Sequence, residues 1–223
     1  MNELREKLKK TSEDMGASAF GIADLTTLMK TYPDLLKNFK GFYSRAVVVG
    51  VRLQDAVLDE IVDKPTVLYL HNYRQANAEL DRIGLRLAAM IQDAGHRSAA
   101  VPASQILAKE PMRGHISHRI LGWAAGIGFI GRSTLLVHPK YGTRMRYASV
   151  LTDAELEPDS PHTGDCGECV ECMTHCPASA IKQSSREYDL SACLSKLTEF
   201  TKIPFVGQYI CGVCVKHCKG KTS

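Results

Sequence analysis

Eight cysteines, all between Cys166 and Cys218, are the residues best suited to chemistry in this 223-residue chain. Four of them have the spacing C-x2-C-x2-C-x3-C, with a proline directly after the fourth: Cys166, Cys169, Cys172 and Cys176. Three thiolates two residues apart can each bind a different iron of one cubane, while the fourth points towards a second site. The pattern therefore predicts two [4Fe-4S] clusters.

The two clusters are expected to take ligands crosswise, because in two-cluster bacterial ferredoxins the fourth cysteine of such a run binds the other cluster. We assign the first cluster to Cys166, Cys169, Cys172 and Cys218. We assign the second cluster to Cys176, Cys193, Cys211 and Cys214. Zinc is the alternative, but structural zinc sites prefer two well-separated C-x2-C pairs, and a triplet would leave one thiolate over.

A second motif, G-x-G-x-x-G, consists of Gly126, Gly128 and Gly131, and Arg132 follows it. Dinucleotide-binding loops with this spacing follow a strand and begin a helix. Here helical sequence precedes the motif and strand-forming residues follow it, which argues against NAD. We predict that these four residues belong to a cofactor-binding loop, whose tight backbone lets another group approach closely.

Basic side chains are concentrated around this loop: Arg113, His115, His118, Arg119, Arg132, His138, Lys140, Arg144 and Arg146. As a group they predict a pocket for an anionic or phosphate-bearing ligand. A solvated basic face is the alternative for any one of them. The chain as a whole has 28 Lys and Arg against 24 Asp and Glu, and this net charge of +4 is too small to indicate nucleic-acid binding by itself.

The elements that must position these residues alternate between helix and strand. Apolar periodicity predicts helices over residues 2–15, 66–94 and 116–125. Short apolar runs, β-branched in the clearest case, predict strands over 17–25, 45–53, 99–101 and 147–152. This order indicates an α/β or α+β domain over residues 1–155.

The polar segment ELEPDSPHTG, at 155–164, predicts a domain boundary. Residues 165–223 have too few large apolar side chains to fold unaided, so we expect a small ferredoxin-like domain held together by its two clusters. No run approaches about 18 apolar residues, and the first residues lack the apolar core of a signal peptide. Together with eight cysteines that suit a reducing compartment, this predicts a soluble cytoplasmic protein without membrane contact.

Taken together, the motifs resemble those of the epoxyqueuosine reductases and, more distantly, the reductive dehalogenases, which are corrinoid-dependent iron–sulfur reductases. The resemblance rests on residues 69–104, AGIGFIGRSTLL at 125–136, SVLTDAEL at 149–156, CGECVECMTHCPASAI at 166–181, and Cys193 followed by ICGVCVKHC. It implies a cobalamin over the α/β domain, reduced by the nearer cluster. It also implies that the glycine loop belongs to this active-site region.

The chain departs from the family pattern in three places. The family's Asp-x-x-Pro-x-x-Glu stretch, whose aspartate is its expected proton donor, falls at 112–118 and reads MRGHISH here. Proton transfer would then pass to His115, His118 or water. Arg132 replaces a family lysine, and no helical-repeat domain that helps hold tRNA follows Cys218. These departures argue against tRNA as the substrate.

Three functions remain open from the sequence. In the first, a reductase takes electrons from an external ferredoxin- or flavodoxin-type donor and passes them through both clusters to a cofactor, cobalamin being one candidate, or to a small-molecule substrate. In the second, the protein is an electron carrier that docks a partner and has no catalytic site of its own. In the third, the clusters are structural. A ferredoxin needs far fewer residues than the 155 that precede the cysteines, which favours the reductase.

Overall fold

The computed structural model describes residues 2–109 and 112–220. The helices are α1 (Asn2–Asp14), α2 (Leu25–Thr31), α3 (Asp55–Asp59), α4 (Val67–Asp93), α5 (His118–Ala124), α6 (Glu171–Thr174), α7 (Leu190–Phe200) and α8 (Val213–His217), with a short 3-10 helix at Ser185–Glu187. The strands are β1 (Ala19–Asp24), β2 (Arg45–Arg52), β3 (Ser98–Val101), β4 (Ala108–Lys109), β5 (Met112–Arg113), β6 (Phe129–Ile130), β7 (Leu136–Val137) and β8 (Met145–Thr152).

These elements fall into two compact units that interleave along the chain. Unit 1 comprises the described residues of Met1–Val51, Ala76–Ile127 and Arg146–His162. Unit 2 comprises those of Arg52–Gln75, Gly128–Met145 and Thr163–Ser223. The division expected from composition, 1–155 and 165–223, differs from these units because residues 52–75 and 128–145 group with the cysteine-rich segment. Composition marks the change at 155–164 but carries no signal that two earlier segments group with the cysteine-rich one.

Unit 1 is built on an antiparallel sheet with strand order β1-β2-β8-β3, in which the Ser44 amide beside the start of β2 donates to the Thr152 carbonyl at the end of β8. Strands β1 and β2 are antiparallel, with Ala19 opposite Gly50, and β3 and β8 are antiparallel, with Val101 opposite Ser149. Residues 46–49 of β2 are fully buried, as the continuous Ala-Val-Val-Val run predicts for a strand covered on both faces. The prediction of a mixed α and β fold is confirmed.

Helix α4 supplies much of the core of unit 1. Its fully buried side chains recur every three or four residues: Leu80, Ile83, Leu87 and Ile91. They pack with Leu8 of α1 and with Val47, Val49 and Val150 of the sheet. The helix ends before Gly95, whose φ of +86° favours glycine, and the His96 amide donates to the Ile91 carbonyl there. Within the described residues, no helix has the length and apolar character needed to cross a membrane.

In unit 2, a buried arginine joins the early segments to the cysteine-rich one. Arg144, with 5% of its side chain exposed, forms ion pairs with Asp55 at 2.8 Å and Asp59 at 3.3 Å. Its Nε also donates to the carbonyl of Lys216 at 3.1 Å. Because a buried guanidinium needs these partners, the contact ties α3 and the 139–144 loop to α8.

Candidate metal centres

All eight cysteines lie in unit 2 as free thiols. Cys172, Cys193 and Cys214 are on the helices α6, α7 and α8, and the other five lie in the loops beside them. Cys172 is buried, Cys169 is exposed and the remaining six are partly buried. Thiols this close to the surface leave little distance between a bound cluster and a donor.

Two of the cysteines have several cysteine neighbours each. Burial raises the pKa of Cys172 to about 11, and the neighbouring sulfurs that add to this are those of Cys218, Cys166 and Cys169. Burial likewise raises the pKa of Cys214 well above its ordinary value, and here the strongest neighbours are Cys211, Cys176 and Cys193. Most of these neighbours belong to the set expected for the cysteine they surround, but Cys172 of the first set also raises the pKa of Cys214. Thiolates crowded in this way need bound cations to be stable.

Zinc sites and cubanes differ in the spacing of their ligand sulfurs. Around a tetrahedral zinc ion with bonds of about 2.3 Å, ligand sulfurs lie about 3.8 Å apart. Among the residues the structure describes, no three cysteine sulfurs lie within 4.8 Å of one another. In a cubane each thiolate binds a different corner iron, so its sulfurs are more widely separated.

Donors beside the sulfurs also fit iron-bound thiolates. The Ala180 amide lies 3.4 Å from the Cys176 Sγ, and the Tyr188 hydroxyl hydrogen-bonds to the Cys193 sulfur. Near Cys218, the Thr143 amide and hydroxyl lower the thiol pKa, although burial raises it overall. The buried Thr143 hydroxyl has no partner of strict hydrogen-bond geometry among the described atoms. A Cys218 thiolate on iron would give it an acceptor.

The glycine motif divides between the two units. Gly126 is in unit 1 with φ +71°, and a Cβ there would lie 2.8 Å from the Ser160 carbonyl oxygen. Gly128 and Gly131 are in unit 2. A Cβ on Gly131 would lie 3.2 Å from the Cys166 sulfur and 2.7 Å from a Val137 methyl. Gly131 therefore leaves room for a cluster ligand.

Arg132 extends this support of the first cysteines. Its guanidinium donates to the backbone carbonyls of Gly167 at 2.8 Å, Cys169 at 2.5 Å and Gln183 at 2.9 Å. The loop between Cys166 and Cys169 is thereby fixed by three charge-assisted hydrogen bonds. The contacts of Gly131 and Arg132 are thus with the loop that carries Cys166 and Cys169.

The basic residues around the glycine motif have separate tasks. In unit 2, Arg132 and Arg144 bind protein carbonyls and carboxylates. In unit 1, Arg146 donates to the Asn77 side chain at 3.0 Å and to the Ala103 carbonyl at 3.3 Å. Arg113, His115 and Arg119 line a cavity of about 580 Å³ in unit 1. Some of the basic residues that are close in sequence thus line a cavity, and others form hydrogen bonds and ion pairs within the protein.

His118 and His115, the two candidate proton donors, have different surroundings. The Nε2 of His118 donates to the Pro102 carbonyl at 3.0 Å, so its Nδ1 accepts from the Ser149 hydroxyl at 2.9 Å. Burial lowers the pKa of His118 to about 4. The His118 ring is therefore neutral and both of its nitrogens are hydrogen-bonded within the protein, which indicates a structural role and not proton transfer. His115, in contrast, lines the cavity, and only its Nε2 has a partner, Gln105, at 2.8 Å.

A histidine pair that the sequence analysis missed lies between α6 and α8. The rings of His175 and His217 stack at 3.6 Å with 10° between their planes. The Oε2 of Glu171 lies 3.8 Å and 3.9 Å from their Nδ1 atoms. Parallel rings keep their in-plane lone pairs from converging on one ion, so the pair packs the two helices together. Its sequence signal is a histidine directly before the last cysteine of each run.

No protein-family model matches the chain, but comparisons with individual known proteins find similar sequences and similar structures. An epoxyqueuosine reductase of Staphylococcus aureus is 28% identical over 200 residues, which cover 89% of this chain and 50% of the relative. Another, from Bacillus subtilis, is 33% identical over 86 residues, 39% of this chain and 22% of the relative. The chain thus spans half or less of the length of these curated relatives.

Solved structures of low sequence identity share the fold. A catabolic reductive dehalogenase in complex with 3-bromo-4-hydroxybenzoic acid has a TM-score of 0.75 at 18% identity, covering 95% of this chain and 31% of that one. A further dehalogenase structure, described as B12-dependent, has a TM-score of 0.74. An epoxyqueuosine reductase with a tRNA stem loop has a TM-score of 0.60 at 20% identity, covering 97% of this chain and 65% of that one. The resemblance stated from the sequence is confirmed.

Proposed function

Since this chain is a relative of the epoxyqueuosine reductases and reductive dehalogenases, we propose that it is an iron–sulfur oxidoreductase whose unit 2 is a ferredoxin-like domain with two [4Fe-4S] clusters. The observation that supports the proposal is that all eight cysteines lie in unit 2, with several cysteine neighbours each around Cys172 and Cys214. Such clusters supply electrons one at a time. An external donor of ferredoxin or flavodoxin type would reduce them, in the cytoplasm, where thiols stay reduced.

The chain's own residues would hold the clusters and shield them. Cys166, Cys169, Cys172 and Cys218 would bind one cluster, and Cys176, Cys193, Cys211 and Cys214 the other. Arg132 fixes the backbone around Cys166 and Cys169, Tyr188 lowers the pKa of the Cys193 thiol, and Thr143 lies beside the Cys218 sulfur and would donate to its thiolate. Donors to a thiolate favour the reduced, more negative cluster.

The acceptor of these electrons would be a substrate, or a cofactor such as cobalamin, bound by unit 1. The dehalogenase described as B12-dependent supports cobalamin, and cobalt analysis tests it. His118 is engaged on both ring nitrogens, so we assign any proton transfer in unit 1 to His115 or to water. A tRNA substrate, as in the structure with a stem loop, is disfavoured by the missing Asp-x-x-Pro-x-x-Glu stretch.

An electron carrier without its own catalytic site is the second candidate. Phe205, 88% exposed, and Val62, 79% exposed, are large apolar side chains on unit 2. Exposed apolar side chains of this size are typical of contact surfaces. A carrier would hold its iron and exchange electrons with a donor protein, and it would bind neither cobalt nor a small molecule in unit 1.

The decisive experiment is anaerobic purification followed by iron, acid-labile sulfide, zinc and cobalt analysis. We expect about eight irons and eight sulfides per chain and a brown protein whose absorbance near 400 nm bleaches on reduction. Colourless protein that holds zinc would overturn the proposal. Iron without cobalt, together with no ligand in unit 1, would favour the carrier.

A further inference from the structure

The cavity of about 580 Å³ in unit 1 is formed by two stretches of chain, residues 31–38 after α2 and residues 113–120 at the start of α5. Its volume lies within the range of about 300–1,000 Å³ that is usual for small-molecule sites. Unlike the cysteine loops, neither stretch has a part in the metal centres. Some other ligand must therefore be considered.

Among the charged side chains of the lining, cations outnumber carboxylates. Lys37, Arg113 and Arg119 each carry a full positive charge, whereas Asp34 is the only carboxylate among the cavity residues. Among the described residues, no carboxylate forms an ion pair with Lys37 or Arg113. Cations without counter-ions beside a concave surface attract an anion, and guanidinium groups bind carboxylate or phosphate through two parallel hydrogen bonds.

The two stretches are also held together, so the cavity is largely formed before any ligand arrives. The Asn38 amide donates to the His115 carbonyl at 3.0 Å. The ring of Phe39 lies 6.2 Å from the ring of His115, and the His115 Nε2 is 2.8 Å from the Gln105 side chain. A preformed site loses less entropy on binding than a mobile one.

The remaining lining indicates what is attached to the anion. Leu35, Ile116 and Ile120 present apolar surface between the charged groups. A bare inorganic ion would leave this surface wet, while an organic body would cover it. We propose that the cavity binds a small organic molecule carrying a carboxylate or a phosphate, and that this oxyanion is held by Arg113, Arg119 and Lys37. The inference rests on the proposed function in taking this molecule as the substrate to be reduced.

Binding is tested on anaerobically purified, cluster-loaded protein by titration calorimetry. The probes are phenyl phosphate, phenylacetate and the neutral benzyl alcohol. We expect at least one of the two anions to bind, more weakly as salt is raised, and benzyl alcohol to bind at least about tenfold more weakly. Phenyl phosphate against phenylacetate distinguishes the two oxyanions.

Variants Arg113→Gln and Arg119→Gln should each weaken the bound anion about tenfold or more, since each loses charged hydrogen bonds. Arg82→Gln, an exposed arginine of α4 in the same unit, is the matched control and should bind normally. Absence of anion binding, or equal affinity in all variants, would overturn the inference. Iron content is measured on the same samples, so loss of the proposed clusters is recognised separately from loss of the anion site.

Discussion

The Nη2 of Arg132 lies 2.8 Å from the carbonyl oxygen of Gly167. Through this bond and its partners at Cys169 and Gln183, the residue that follows the glycine motif holds the loop that carries the first two cysteines. The segment around the motif therefore helps to position these cysteines. Its Gly131 provides space beside the Cys166 sulfur, and its arginine provides the hydrogen bonds.

We expect Arg132→Gln to loosen the first cluster. The variant loses three charge-assisted bonds to backbone carbonyls, which we value at about 1–3 kcal/mol in total because Arg132 is partly exposed. Iron chelation followed by absorbance should then be at least about fivefold faster for this cluster. Arg186→Gln, an exposed arginine of the same unit, is the control. Equal chelation rates in both variants and the parent would contradict a positioning role.

We expect Tyr188→Phe to lower the reduction potential of the second cluster. The Tyr188 hydroxyl donates to the Cys193 sulfur, and such a bond stabilises the more negative, reduced state. Burial and this contact with Cys193 raise the pKa of Tyr188, so the hydroxyl remains a donor. Redox titration monitored by electron paramagnetic resonance measures both couples. Tyr209→Phe, a partly buried tyrosine of unit 2, should leave them unchanged; two unshifted couples in Tyr188→Phe would refute the assignment.

Pairs of cysteine substitutions test the crosswise ligand sets. The double variant Cys172→Ser, Cys218→Ser should lose no more iron than either single variant, because both residues are proposed ligands of the first cluster. Cys172→Ser with Cys214→Ser should lose both clusters, since the two residues belong to different proposed ligand sets. Iron and sulfide analysis gives the count. The opposite pattern of losses would show that the sets are assigned wrongly.

His118 should contribute to the pH dependence of the free energy of unfolding of unit 1. Burial lowers its folded pKa to about 4 from an ordinary 6.5, so between these values only the unfolded chain takes up the proton. The free energy of unfolding should therefore fall as pH drops below 6.5, by as much as about 3 kcal/mol near pH 4. Above pH 6.5 this effect disappears.

Anaerobic urea unfolding, followed by fluorescence of the single tryptophan Trp123, measures this in unit 1. His118→Gln keeps a donor for the Pro102 carbonyl but cannot titrate, so its unfolding free energy should vary less between pH 7 and 5. Parallel curves for variant and parent would mean that the pKa of His118 is the same in the folded and unfolded protein, which would contradict the effect of burial.

Elements with a strong local pattern were predictable from sequence. The helix expected over 66–94 is observed at Val67–Asp93, and the strand expected over 45–53 at Arg45–Arg52. In both, the period of apolar residues matches the face that is buried, and neighbours in sequence suffice to read it. The stacking of His175 on His217 could not be read in this way, because the two rings belong to separate cysteine runs.

The amino-acid sequence alone specifies the mixed α and β fold and the two groups of closely spaced cysteines. Helix period, strand composition and cysteine spacing are local properties, so they can be read from neighbouring residues. Which partner each charged side chain meets was decided only in three dimensions. Arg132 donates hydrogen bonds to the cysteine loop, Arg144 forms an ion pair with Asp55 of α3, and Arg113 lines a cavity. The position of a charged residue in the sequence does not indicate which residue it will contact. The electrostatic energy of a charged side chain depends on its burial and on residues distant in sequence that folding brings near.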